Sequence, residues 1–365
     1  MEASDIHLEP TPCGLRVRYR CDGLLEDVFN IIAAESQRII TRVKVLAKLD
    51  IAEKRIPQDG KFYLALEQRS IDIRISTFPT HYGEKIVMRL LDQDHGVRSL
   101  IELGFEDAML ESITKVMQSP HGFFIVTGPT GSGKTTTLYA LLAHLTSPER
   151  NVVTLEDPIE YTISGTTQGH VRPDIGFDFA TGIRALLRQD PDIILVGEMR
   201  DAETVKTAVR AALTGHLVLS SLHTTDALGA ITRLLDMGVE SFLLSSVVTG
   251  VLAQRLVRKI CENCRIASQD NIIKCFDAVL PLAYRGAGCE VCRYSGYRGR
   301  TALFELVLFT PSLRDAIVRK CSRAELETIA QQSGIKRLYD DARDKVIRGI
   351  TSIEEVMRVI DFLPE

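Results

Sequence analysis

Gly128-Pro129-Thr130-Gly131-Ser132-Gly133-Lys134-Thr135 sets glycines, a lysine and a hydroxyl in the order G-x-x-x-x-G-K-[ST]. Glycines at these spacings let successive backbone N–H groups turn inward and form an anion nest. An apolar run, Phe123 to Val126, enters the loop, and a helical pattern from Thr135 to Leu145 leaves it. The helix start adds its positive end to the nest. The chemistry this suits is the binding of a nucleotide polyphosphate by Gly128 through Thr136. Lys134 would reach the β- and γ-phosphates, and the Thr135 hydroxyl would face Mg²⁺.

Hydrolysis also needs a carboxylate on a strand beside the loop. Asp192-Ile193-Ile194-Leu195-Val196-Gly197-Glu198 is a buried-strand run ending in Glu198, which is placed to polarise an attacking water. Gly197 stands where many such sites carry a Mg²⁺-holding Asp. Either another group holds the metal through water, or Glu198 does both jobs. Thr154 to Tyr161 follows a further apolar run, and Glu156, Asp157 and Glu160 there could support Mg²⁺ through its retained waters. A solvated acidic turn is the other reading of that stretch. His216 and His223 bracket the run Leu217 to Leu222; each is either a sensor of the γ-phosphate or an ordinary polar residue.

Cys261-x-x-Cys264 and Cys289-x-x-Cys292 form two knuckles separated by 24 residues. That spacing suits a structural tetrathiolate zinc site, with all four positions filled and none open for catalysis. Cys13, Cys21, Cys275 and Cys321 have no such partners.

The elements that must position these groups follow from periodicity. Residues 1–95 read as a small α+β domain. Leu15 to Tyr19 and Ile71 to Ser76 alternate like strands, and Ile39, Val43, Leu46 and Leu49 recur at helical spacing. Residues 96–119 read as a linker, 120–256 as the ATPase domain, 257–300 as the cysteine segment and 301–365 as a helical C-terminal part. Apolar runs at 123–126, 152–155, 193–196 and 217–222, separated by helical stretches, predict strands buried on both faces of a parallel-rich sheet. The fold class is therefore α/β.

Bulk properties narrow the partners. The 365 residues carry a net charge of −4, 6% aromatics and no Trp, so neither a basic stripe nor a stacking platform for nucleic acid is visible. The first ten residues do not read as a signal peptide, and the Ser241 to Gln254 stretch is too short and polar for a membrane span. A cytoplasmic location is the expectation.

Taken in order, these motifs resemble the secretion and pilus motor ATPases of the GspE/PilB type. The likeness rests on the phosphate loop, on Thr154–Tyr161, on Arg188-Gln189-Asp190-Pro191-Asp192 running into Glu198, and on Thr214-Gly215-His216 through His223-Thr224. Ser4-Asp5-Ile6-His7 and Asp50-Ile51-Ala52-Glu53-Lys54-Arg55 extend it forward. The resemblance implies a RecA-like core behind a PAS-like front domain, assembled as a homo-hexamer that uses ATP and Mg²⁺. It implies that Arg74 and Arg89 reach the phosphates when the front domain closes, and that Arg184 is a further phosphate contact. It implies partners among inner-membrane platform and cytoplasmic-domain proteins, and a missing N-terminal docking domain. The tetracysteine segment favours a secretion or extension motor, type II secretion first and type IV pilus assembly second. A RecA-like nucleic-acid motor is the remote alternative.

Overall fold

The computed structural model describes residues 3–66, 69–92, 96–267, 274–275, 278–279 and 283–360. They form two compact units, divided between Gly96 and Val97. The Cys275 side chain lies outside the described residues.

In the first unit, β1 (Ala3–Thr11), β2 (Gly14–Cys21), β3 (Leu24–Ile32), β4 (Gln58–Leu66), β5 (Arg69–Thr80) and β6 (Gly83–Asp92) make an antiparallel sheet in the order β3-β2-β1-β6-β5-β4. Alternation sorts its faces. Leu8, Leu15, Val17, Ile73, Ile75 and Ile86 turn one way and pack with Ile40, Val43 and Ala47 of and just after α1 (Ala33–Leu46). Asp5, Arg18 and Arg89 belong to the other face. Arg74 and Arg89 stand directly opposite each other in the β5–β6 ladder. Arg89 Nε lies 3.2 Å from Asp5 Oδ1, and Ser4 Oγ donates to Asp5 Oδ2 at 2.8 Å. The Ser4-Asp5 pair thus anchors one of the two candidate arginines.

The second unit opens with α2 (Asp107–Met117). The linker expected at 96–119 is packed instead: Leu100, Phe105, Ile113 and Met117 are buried in the same core as Phe124 and Leu138. Leu110, Ile113 and Met117 recur at helical spacing, which is why this stretch finds a core. The strands β7 (Gly122–Thr127), β8 (Val152–Glu156), β9 (Thr167–His170), β10 (Ile193–Val196), β11 (Leu217–Leu222), β12 (Val248–Ile260) and, beyond the short pairs β13 (Arg265–Ala267) with β16 (Tyr284–Gly286) and β14 (Lys274–Cys275) with β15 (Ala278–Val279), β17 (Tyr297–Leu308) follow. The large sheet runs β17-β12-β7-β11-β10-β8-β9, parallel except for the β12–β17 pair.

Helices cover both faces. Phe124, Val126, Leu195 and Leu219 meet α3 (Lys134–Leu145) on one side. Phe123, Ile125, Ile194 and Val218 share a core on the other with α4 (Phe179–Leu186), α5 (Ala202–Leu213), α6 (Ala227–Asp236) and α7 (Ser241–Val247). Burial on both faces explains the unbroken apolar runs. The C-terminal part is helical only from α8 (Pro311–Val318), through α9 (Arg323–Gln332), α10 (Leu338–Ile347) and α11 (Ile353–Val359). Residues 301–308, expected there, are the last strand of the sheet. The Ser241 to Gln254 stretch splits into α7 and the start of β12, and no helix among the described residues is long and apolar enough to cross a membrane.

One buried ion pair holds the first unit's helix to its sheet. Lys44 Nζ donates to Glu84 Oε1 at 2.7 Å and to the Glu53 carbonyl at 2.6 Å, with both side chains almost fully buried. Removing one partner strands the other charge in the core. Lys44→Met is expected to lower unfolding stability by about 3–5 kcal/mol in urea titration; a loss below about 1 kcal/mol would show that Glu84 finds water or a proton instead.

Candidate functional site

The site forms where the parallel strands end. Gly128 follows β7 with φ 155°, and Gly133 precedes α3 with φ 88°. A Cβ at Gly128 would lie 2.5 Å from the Gln254 carbonyl oxygen, and one at Gly133 would lie 2.9 Å from Gln254 Nε2. Glycine is therefore required twice, by backbone conformation and by close approach. Gly133 offers α3 no side-chain cap, and the first turn holds no acidic residue, so its N–H groups face the loop uncompensated. Ser132 Oγ is buried with no hydrogen-bond partner. That orphan fits a cradle built for a further polar group. Thr135 is exposed at the helix start, while Thr130 and Pro129 are on the outer rim of the loop.

Lys134 Nζ donates to the Gly128 carbonyl at 2.8 Å and the Pro129 carbonyl at 3.1 Å. Burial pulls its ammonium down to about 8; Glu198 opposes that shift and Arg255 adds to it. Two carbonyl dipoles do not replace the water it has lost, and an incoming anion would.

The acidic strand is not beside the loop strand, as expected from sequence. β11 lies between β7 and β10. The interposed strand ends in His223, whose ring spans the gap. Its Nδ1 is 3.5 Å from Lys134 Nζ, and its Nε2 is 3.7 Å from Glu198 Oε2. Glu198 itself follows β10, where Ser221 Oγ donates to the Gly197 carbonyl at 2.7 Å and fixes the turn. Its other oxygen pairs with Arg200, which also reaches Asp157 Oδ2 at 3.2 Å. Glu198 thereby holds the Arg200 guanidinium above its ordinary range. The sequence motifs do not single out Arg200, although its place two residues after Glu198 is a signal.

His216 does not join this group. It precedes β11, and the parallel register of β11 with β7 puts it at the opposite end of the sheet from Gly128. Six residues of strand separate it from His223, about 20 Å. There its Nδ1 lies 2.9 Å from the Ala211 carbonyl, closing the turn after α5. Glu156 is also placed differently from an open Mg²⁺ support. It is buried, receives hydrogen bonds from Tyr139, from Thr154 Oγ1 at 2.5 Å and from Gln168 Nε2 at 3.1 Å, and so faces the α3 side of the core. Burial, with Glu156 beside it, pushes the Tyr139 hydroxyl far above its ordinary range. The Glu160 backbone N–H donates to Tyr139 Oη at 3.2 Å, so the acidic turn is pinned to α3 from below. Arg184 donates to Glu203 at 2.8 Å and Thr181 at 3.1 Å, a pairing at the α4–α5 surface rather than at the loop.

The four cysteines converge. Sγ separations are 3.9 Å for Cys261–Cys289, 3.8 Å for Cys264–Cys292 and 3.7 Å for Cys289–Cys292. A tetrahedral ion with metal–sulfur bonds of about 2.3 Å requires sulfur separations of about 3.8 Å. The Asn263 amide donates to Cys289 Sγ at 3.3 Å and holds that thiol below its usual range. Backbone N–H groups of Gly288 and Gly296 donate to Cys264 and Cys292, both at 3.3 Å. Donors aimed at sulfur are the outer partners a thiolate-bound metal needs.

The model of the family described as Type II/IV secretion system protein matches residues 1–358. The Type II secretion system protein E of Xanthomonas campestris is 47% identical over 99% of this chain and 65% of its own length. The Type II secretion system ATPase E of Vibrio cholerae is 48% identical over 98% of this chain and 72% of its own. The chain thus spans roughly two thirds to three quarters of these relatives. Among solved structures, the pilus retraction motor PilT with bound ADP superposes with a TM-score of 0.66 at 25% identity, covering 98% of this chain and 93% of that one. The Legionella pneumophila ATPase DotB gives 0.70 at 23%, covering 98% and 91%, and speaks to fold alone. With its phosphate loop, strand-end acid and cysteine knuckles in place along almost its whole length, the chain belongs to the Type II/IV secretion system protein family, among the type II secretion ATPases.

Proposed function

We propose that the chain is the ATP-hydrolysing motor of type II protein secretion, powering pseudopilus assembly as a homo-hexamer. The observation that supports this most is the alignment of Lys134, at the start of α3, with His223 and Glu198 just past the ends of the neighbouring strands β11 and β10. In this reading Gly128 to Thr136 wrap the phosphates and Lys134 exchanges its loop carbonyls for phosphate oxygens. Glu198 orients and deprotonates the attacking water, and His223 reports the γ-phosphate to it. Mg²⁺, when bound, neutralises phosphate charge; Thr135 would hold it, with Asp157 and Glu160 reaching it through water. Arg74 and Arg89 supply positive charge on closure of the front unit, which for Arg89 means releasing Asp5. The partners in this reading are inner-membrane platform and cytoplasmic-domain proteins, the location is cytoplasmic at that membrane, and no nucleic acid takes part.

The cell-level test replaces the chromosomal allele with Lys134→Ala in the source organism. Loss of exoproteins with normal pili supports the reading; lost pili with normal exoproteins assigns the motor to pilus assembly. In vitro, Lys134→Ala should weaken nucleotide binding by about 10- to 100-fold. Glu198→Gln should keep binding within a few-fold and slow turnover by about 10²–10⁴-fold. Retained turnover in Glu198→Gln sinks the general-base role.

The Lys134 shift sets a pH dependence. Below about 8 the free and loaded lysine are both protonated, so affinity is flat. As pH rises through about 8 the free chain's Lys134 gives up a proton that the phosphate-bound lysine keeps, and affinity falls toward tenfold per unit. For folding the sign is opposite, because a lysine depressed in the folded state adds stability as pH rises from about 8 toward its unfolded value. Titration of a fluorescent ADP analogue from pH 7 to 10 checks this; flat affinity to pH 10 refutes it.

The cysteine cluster is read as a structural zinc site, all ligands being thiolate and none open. Elemental analysis should find about one zinc per chain, and chelation should lower the melting temperature. A metal-free chain of unchanged stability would overturn the assignment.

A further inference from the structure

Two adjacent polar residues, Gln254 and Arg255, interrupt the otherwise apolar run from Val251 to Val257 in β12. Neither falls in a sequence motif noted above, and both are buried. Successive strand residues face opposite sides of a sheet. Gln254 shares the α3 face with Leu252, and Arg255 shares the α6 face with Ala253 and Val257.

Gln254 uses both ends of its amide on the phosphate loop. Nε2 donates to the Ser132 carbonyl at 2.7 Å, and Oε1 accepts from Thr137 Oγ1 at 2.7 Å. One side chain therefore joins the loop to the first turn of the helix that follows it. It is also the group that a Cβ on Gly133 would strike. Arg255 reaches across the other face. Its Nη2 donates to the Thr225 carbonyl at 2.6 Å, and its Nη1 to the Gln254 carbonyl at 3.0 Å. Thr225 lies two residues past His223. Thr224, between them, is tied to the loop strand through its N–H to Thr127 Oγ1 at 3.0 Å. The phosphate loop and the His223 loop are thus braced from one strand. A wholly apolar strand could fill this volume, so burial of an amide and a guanidinium here is paid for by what they hold.

We propose that Gln254 and Arg255 are positioning residues for the nucleotide site, Gln254 clamping the phosphate loop and Arg255 the loop behind His223. The inference rests on the motor-ATPase reading above. Neither residue touches the reacting atoms. Gln254 sets the shape of the cradle before nucleotide arrives, and Arg255 sets the distance between His223 and Glu198.

The two arms separate in kinetics. Gln254→Met, similar in length but without donor or acceptor, should weaken binding of a fluorescent ADP analogue by about tenfold or more and leave kcat at saturating ATP within about twofold. Gln254→Glu keeps the acceptor for Thr137 and loses the donor to Ser132, so it should weaken binding likewise, and it serves if the Met variant fails to fold. Arg255→Met should lower kcat by about tenfold with affinity within about twofold, and Arg255→Lys, which retains one donor for Thr225, should restore most of the turnover. Affinity and kcat falling together in step with melting temperature, or Gln254 variants with unchanged affinity, overturn the proposal whatever the absolute turnover. A wild-type chain that neither binds nor hydrolyses nucleotide refutes the motor-ATPase reading, and this inference with it. A wild type that binds, with variants that bind equally well, refutes the inference alone.

Discussion

Taking an ammonium group out of water costs free energy that only an opposite charge or well-placed acceptors can offset, and the second unit is organised around that constraint at Lys134. The lysine lies at the base of the loop with two carbonyls for company and a carboxylate farther off. It is protonated but poorly solvated, a state that a polyphosphate relieves. Burial of that ammonium therefore favours an anionic ligand at the loop. The glycines, the uncapped start of α3 and the orphaned Ser132 hydroxyl add to the same preference.

Strand order converts that local feature into a hydrolytic site. Because β11 intervenes between the loop strand and the acidic strand, Glu198 is kept a strand's width from direct contact with Lys134. A direct pair would quench both groups. His223, at the end of the intervening strand, is long enough to meet each without letting them collapse together. Arg200 and Asp157 complete a chain of alternating charges along the strand ends.

What the sequence made legible was local. The phosphate loop is read from contiguous residues because a backbone turn and a helix start are contiguous things. Glu198 could be placed because an apolar run of four residues has one obvious end. Strand order could not be read, since crossovers decide it and leave no mark in the strands themselves; so β11 was not expected between β7 and β10. The two histidines are instructive. Parallel strands put all their C-terminal ends on one side, so a histidine preceding β11 belonged on the far side from the loop. That argument needed only the parallel sheet already inferred, and it separates His216 from His223. Gln254 and Arg255 are invisible for a different reason: Gln254 lies more than a hundred residues and Arg255 thirty residues from the loop each braces, and nothing in an apolar strand announces a partner. The segment after Gly96 reads as a tether because its helix is short, though Leu110, Ile113 and Met117 form an apolar stripe.

The long β12–β17 ladder closes at Ile260 opposite Tyr297, and Cys261 N–H then reaches the Gly296 carbonyl at 2.9 Å. Everything between those points leaves and returns through one doorway about a hydrogen bond wide. A plain hairpin turn across the doorway would keep every strand pairing of the large sheet. The cysteine segment is therefore an insertion in the β12–β17 hairpin, steadied against the turn after α10 where Arg265 reaches the Gly349 carbonyl. An engineer can therefore shorten the segment or splice a reporter into it while leaving the strand pairings of the large sheet in place.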